Sequence, residues 1–469
     1  MICFKKIYLY YIFLFLTSIY RYSLGQYHIT GHIKGLKHGE CILAYNHYSG
    51  SLYPVDTAKI DLNGNINFFK KKSLDTGIYE IVLPSKSKII TLIISDEQNI
   101  NFNVDTIDII SSIKIKGSKE SQLFYQLQFY LKSNAQKISE LKSKNTSPIE
   151  IKKLEEEQKK YYDFFLKKNK NTFLAEILKT ASNPEIPSSI RTSQEEAFLY
   201  YKNHFWDSFS FSNKKLIKTP FLKQKLDTYF NELTIQREDS IIKSAEYLLN
   251  KAQNGSQKEY EEYIIRYITN KYENSTSMGT EGVFVYMVER YFLTKYINVV
   301  DTSTLTSLKE KVNILKPLLL NKVIPDIGVQ NKENRLSFIH ELKSDFNIIF
   351  FYSPSCGHCK EGAPKLKQFY NNHKNENIEI MTIAIDGNET DWNKFINEHQ
   401  WHSFINGYGL VVSRTVNYSK EYDVSSTPTI YILDKNLKII ARRIGIDDIE
   451  PFYNIYRKQK IENIYNSQK

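Results

Sequence analysis

The chain has 469 residues, 41% of them hydrophobic and 14% aromatic, which is ample for packed cores and excludes a disordered chain. Its formal net charge is +11, but Lys and Arg are spread evenly and no recognition motif accompanies them, so nucleic acid is not an expected partner. Four cysteines are too few for a disulfide-stapled scaffold, and the length suits about three domains.

Residues 1–25 read as a secretory signal. Lys5 and Lys6 form the charged start, Ile7 to Ile19 is mostly apolar, and Ser23 and Gly25 supply small residues before Gln26. The apolar run is shorter than the ~20 residues of a membrane span, so a cleaved signal is expected, with an uncleaved anchor as the alternative. Either way the protein is placed in the periplasm or cell envelope. Cys3 leaves with the signal, and Cys41, Cys356 and Cys359 remain.

Residues 26–117 predict an all-β domain. Short alternating or apolar runs occur at 27–33, 41–45, 66–69, 79–83, 89–94, 99–104 and 113–116, separated by turn residues such as Asp61-Leu62-Asn63-Gly64. A small sandwich or barrel follows. Cys41 lies inside one of these runs and reads as a buried small hydrophobe. Residues 118–318 predict an all-α region. Leu123, Phe124, Leu127, Tyr130 and Leu131 recur at helical spacing, and Ser147-Pro148 marks a helix start. The Lys- and Glu-rich stretch 150–170 reads as a solvated helix, with a coiled coil or hairpin arm as alternatives. Further helices are expected over 193–209, 220–235, 238–253, 257–272, 281–296 and 304–316.

Residues 319–469 carry the chemistry. The strand-like run 347–352 precedes Cys356-Gly357-His358-Cys359, a helix-like stretch follows to His373, and Thr427-Pro428-Thr429 stands before another strand run, 430–433. A Cys-x-x-Cys loop between strand and helix reads as a thiol–disulfide redox site. Zinc would need four ligands, and no second Cys pair or spaced His pair is present, so no metal is expected. Trp392 and Trp401 read as core residues, and Asp391 as the cap of a short helix.

This region resembles the thioredoxin superfamily, and within it the TlpA-like branch of the bacterial envelope. The resemblance rests on Val323-Ile324-Pro325-Asp326-Ile327, on Phe350-Phe351-Tyr352-Ser353-Pro354-Ser355-Cys356, on Pro364 five residues after Cys359, on Thr427-Pro428 and on Gly445. It implies an α/β thioredoxin fold, so the whole chain is expected to be multidomain. The β region resembles a domain often fused to such proteins. Three positions depart from the pattern. Ser355 stands where Trp is usual, Phe350 replaces a buried acid, and Gly362 holds the place of a further acid, with Glu361 one residue early. The sequence therefore names no proton acceptor for Cys359.

The expected chemistry assigns Cys356 as nucleophile at a helix N-terminus, where free N–H groups and the helix dipole favour the thiolate. Cys359, one turn on, resolves the mixed disulfide. Gly357 and His358 tune the pair, an imidazole there making the disulfide more oxidising. The resemblance implies a cis peptide before Pro428, with Thr427 and Pro428 binding an extended substrate. No cofactor is required. Disulfide- or dithiol-containing envelope proteins are the expected partners, with a membrane electron donor to restore the dithiol. The family is mostly reductive, whereas Cys-Gly-His-Cys is similar to the motif of disulfide isomerases. Reduction or general exchange is the leading expectation, oxidase or isomerase activity the second. A partner-binding envelope protein with a redox-tuned domain is a third reading of another class.

Overall fold

The computed structural model describes residues 26–47, 49–144, 148–275, 277–297, 301–333, 335–408, 410–411, 414–415 and 417–467. The expected signal at 1–25 and the Ser147 cap lie outside the described residues. The chain divides into two compact units, Met1–Leu233 with Asn250–Tyr260, and Thr234–Leu249 with Glu261–Lys469. The helical middle of the chain is thus shared between them.

The first unit begins with eight strands: β1 (Tyr27–Lys34), β2 (Glu40–Asn46), β3 (Leu52–Lys59), β4 (Asn65–Lys70), β5 (Gly77–Val82), β6 (Ile89–Ile94), β7 (Asn99–Asp105) and β8 (Lys114–Lys116). They form two four-stranded sheets, ordered β4-β1-β7-β8 and β3-β2-β5-β6. Alternate residues of both sheets, among them Ile29, Phe68, Leu43, Ile81 and Phe102, enter one apolar core. Removing such faces from water is the dominant driving force, about 1.5–3 kcal/mol for each large side chain. Gly31 of β1 is required by this packing, since a Cβ there would lie 2.2 Å from the Phe102 ring. Cys41 is wholly buried, and burial pushes its thiol up to about 11.

Strand β3 is absent from the sequence expectation. It lies at a sheet edge, buries Ala58 alone and carries Pro54, so it has neither the alternation nor the composition of a central strand. The helix Lys119–Ser143 is capped by Ser118, whose side chain accepts from the Ser121 N–H. It packs on Pro148–Lys168 through stacked Tyr130 and Tyr161 rings 3.7 Å apart, and Asn134 donates to Gln158 at 3.0 Å. The long charged stretch is therefore partnered along one face.

The second unit contains most of the helix Lys258–Glu273, the helices Glu281–Met287 and Thr302–Leu315 and a seven-stranded sheet. The remaining strands are β9 (Gly328–Gln330), β10 (Leu336–Phe338), β11 (Phe346–Tyr352), β12 (Ile378–Ala384), β13 (Ile405–Tyr408), the short β14 (Leu410–Val411) and β15 (Arg414–Thr415), β16 (Thr429–Asp434) and β17 (Ile439–Arg442). The sheet order is β10-β9-β13-β12-β11-β16-β17, with β11 parallel to β12 and antiparallel to β16. All seven residues of β11 are buried, as expected of a central strand covered on both faces. Phe346, Ile348, Phe350 and Tyr352 enter the core that contains Cys359, while Ile349 and Phe351 enter the core on the opposite face. The short helix after β12 is Glu389–Glu398, and its cap is Asn388, which accepts from the Asp391 N–H at 2.8 Å. Asp391 thus lies in the first turn, where its charge suits the helix dipole, and is not the cap. No helix among the described residues is long and apolar enough to cross a membrane.

Candidate active site

The site forms where β11 ends and the helix Gly357–His373 begins. Ser353-Pro354-Ser355 makes the turn: the Ser353 carbonyl accepts from the Cys356 N–H at 3.1 Å, and Ser353 Oγ accepts from the Ser355 N–H at 3.3 Å. Cys356 is the N-cap itself, extended at φ −71° and ψ 125°, and its sulfur accepts from the Cys359 N–H at 3.4 Å. The cap position leaves a backbone donor of the first turn for a sulfur anion. Pro364 lies inside this helix, where it removes one backbone hydrogen bond.

The two cysteines, both free thiols, have opposite environments. Cys356 is half-buried. Burial acts to raise its thiol, but the Thr427 side chain, the Cys359 thiol and the Cys359 and His358 backbone outweigh it and hold the group below its ordinary value. As a thiol, Cys356 also donates to the Thr427 carbonyl at 3.3 Å. The carbonyl serves the neutral form and the helix N–H the anion. Cys359 is fully buried, and burial, reinforced by its hydrogen bond with Cys356, pushes it up to about 12.

The Thr427–Pro428 peptide is cis, and the loop is tied by the Thr429 hydroxyl, which donates to the Ser426 carbonyl at 2.7 Å. Cys356, Cys359 and Thr427 therefore meet in space, although Thr427 lies 71 residues from Cys356 in the chain. His358 stands apart. Its side chain is 87% exposed, and Nδ1 lies 3.8 Å from the Glu361 carboxylate. A Cβ on Gly357 would meet nothing within 4 Å, so no neighbour requires glycine there, and the space above the helix start is open.

Glu361 is exposed and faces His358, and Phe350 is buried in the core around Cys359, so neither supplies the family's buried acid. Among the described residues no group of three or more His, Cys, Asp or Glu is placed to hold a metal ion. Trp392 and Trp401 are both buried, and the Trp401 indole donates to the Ala363 carbonyl of the active-site helix at 3.3 Å.

One charged pair near the site escaped the sequence reading. Asp423 and Arg442 form an ion pair of 2.7 Å just ahead of the Thr427 loop. An Arg closing a strand reads as exposed from sequence, and only the tertiary packing buries it. No local signal marks the pair.

Three stretches match described families: 27–124 and 131–315 match domains of unknown function (DUF4369 and DUF5106), and 344–439 matches a family described as thioredoxin-like. The thiol-disulfide oxidoreductase ResA of Bacillus thuringiensis is 27% identical over 141 residues, 29% of this chain and 73% of that protein. The sporulation thiol-disulfide oxidoreductase A of Bacillus subtilis is 23% identical over 143 residues, 29% of this chain and 76% of that protein. A crystal structure of a thioredoxin-like protein from Bacteroides caccae aligns with a TM-score of 0.46 and 19% identity, covering 58% of this chain and 98% of that one. The chain thus holds a thioredoxin-like domain homologous to thiol-disulfide oxidoreductases, and thiol-disulfide oxidoreductase is its enzyme class.

Proposed function

We propose that this is an exported enzyme that reduces disulfides of envelope proteins through Cys356 and Cys359. The observation that carries the reading is the contrast between the two thiols. The half-buried one is held low beside open space, and the wholly buried one is pushed up to about 12. A pair so arranged has one thiolate ready to attack and one thiol in reserve.

The cycle has two steps. The Cys356 thiolate attacks one sulfur of a substrate disulfide, a Cys356–substrate bond forms, and the other substrate sulfur leaves as thiolate. Cys359 then gives up its proton, which passes to the substrate thiolate released in the first step, and attacks the Cys356 sulfur. The second substrate sulfur leaves, and the two electrons given up by Cys356 and Cys359 remain with the substrate dithiol. Thr427 and Pro428 line the approach, with the Thr427 carbonyl beside the attacking sulfur. An extended substrate segment paired with this loop would bring its sulfur to Cys356. Restoring the dithiol requires a dithiol donor, for which a membrane electron carrier is the natural source in the envelope.

The direction rests on His358. Its position between the cysteines favours oxidation or isomerisation, whereas the resemblance to a mostly reductive family favours reduction. The test is the reduction potential of the pair, measured by equilibration with glutathione. A value of about −270 mV or lower supports the reductase. A value of about −180 mV or higher overturns that direction in favour of oxidase or isomerase activity. In parallel, Cys356→Ser must abolish reduction of a disulfide-bearing test protein such as insulin.

A further inference from the structure

The segment that leads into the Thr427 loop is held by a buried charge network. Arg442, at the end of β17, is wholly buried. It donates to Asp423 at 2.7 Å and to the Leu318 carbonyl at 3.2 Å. Arg443 makes a second ion pair with Asp423, at 2.8 Å. Both ends of that second pair have left-handed backbones, with φ +50° at Asp423 and +51° at Arg443. Neither residue is glycine, so both conformations are strained, and such strain persists only where the surroundings impose it. The neighbour Tyr422 is fixed as well, its carbonyl accepting from the Tyr431 hydroxyl at 2.6 Å.

The other side of Arg442 faces the helices. Glu281, the first residue of Glu281–Met287, places its carboxylate 3.6 Å from Arg442 Nε, and that Nε has no hydrogen-bond partner. Glu281 is itself held by the Gly279 N–H at 3.0 Å. Glu238 lies beside it, its carboxylate so close to Gly282 that a Cβ there would come within 2.2 Å of an oxygen. A helix start, the Leu318 carbonyl and the segment before Thr427 therefore converge on one guanidinium. A fork of fixed geometry suits this task better than a point charge.

We propose that Arg442 is a positioning residue through which the helical segment around Glu281 fixes Thr427 against Cys356. The role rests on Cys356 being the attacking thiol. Only Val424, Ser425 and Ser426 separate Asp423 from Thr427, so freedom at Asp423 reaches the carbonyl and side chain that meet the Cys356 sulfur. The helices of this unit then serve the redox site as a brace, and a partner that displaced Glu281 would loosen the loop.

The test compares wild type with Glu281→Gln, Arg442→Met and Arg442→Lys in the full chain. Folding is first verified by circular dichroism. Two readouts follow: titration of the Cys356 thiolate by its ultraviolet absorbance, and the kcat and KM of insulin reduction. Arg442→Met is expected to move the Cys356 midpoint upward and to lower kcat/KM by about threefold or more, the usual scale of such coupling. Arg442→Lys is expected to recover part of both, and Glu281→Gln to shift both in the same direction by less. Folded variants with wild-type midpoints and kinetics would overturn the proposal, as would Arg442→Lys behaving like Arg442→Met. If Arg442→Met does not fold, Glu281→Gln decides, since it leaves every bond of Arg442 to Asp423 and Leu318 in place. If wild type itself shows no Cys356-dependent reduction, the reading of Cys356 fails and with it this role.

Discussion

Treating the reduced protein with iodoacetamide at pH 7 sets two thiols three residues apart against each other. Only the thiolate reacts, so the ionised fraction governs the rate. A thiol at about 12, as at Cys359, is ionised to about one part in 10⁵ at pH 7. A free thiol near ~8.5 is ionised to roughly 3%, and Cys356 is held below its ordinary value. The ratio of thiolate populations is thus about three orders of magnitude or more, before the burial of Cys359 adds its steric block. The assay is alkylation for a short fixed time, quenching, digestion, and fragmentation of the peptide that contains both cysteines. Repeating it from pH 5 to pH 9 gives the Cys356 midpoint. Cys356 should carry essentially all of the label, with a midpoint below that of a free thiol, and denaturation in urea should equalise the two. Labelling of Cys359 within tenfold of Cys356, or a Cys356 midpoint at or above the free-thiol value, would refute the reasoning.

Three further outcomes are expected. Cys359→Ser should stall the cycle after the first step, so the substrate accumulates as a mixed disulfide on Cys356, visible as a reductant-sensitive band; absence of that adduct argues against the two-step cycle. At His373, burial opposes the charge, but hydrogen bonds to Glu450 at 2.8 Å and Glu376 at 3.1 Å outweigh it and hold the imidazole above its ordinary value. A raised folded value means that the stabilisation is complete below the unfolded value of ~6.5 and is lost as pH rises through the folded one. His373→Gln should therefore lower Tm more at pH 6 than at pH 9, and equal losses at both would contradict the ion pairing. Ile349→Ala removes a wholly buried side chain from β11 and should cost about 2–5 kcal/mol, read as a lower urea midpoint for its unit.

Much of this protein is written locally. The redox turn is legible because a strand, a cap and a helix follow one another within a few residues. Cys356 caps the helix that places Cys359 one turn on, and both facts depend on neighbours in the chain. The alternation in β1 and the apolar run Ile348–Tyr352 of β11 likewise record which face each strand buries. Helices such as Glu238–Asn254 and Lys258–Glu273 fall within a residue or so of their periodicity. Beyond these elements, topology decides. Edge strand β3 is held by its hydrogen bonds to β2, and its own residues carry no alternation to announce it. Thr427 reaches Cys356 only because β16 pairs with β11. Arg442 differs from its exposed counterparts solely in what folds over it, since Glu281, Leu318 and Asp423 come from three distant segments. Periodicity reports which face of an element is apolar. It says nothing of which charges meet across the chain, because that pairing is fixed by the order of strands and by the low-dielectric interior they enclose.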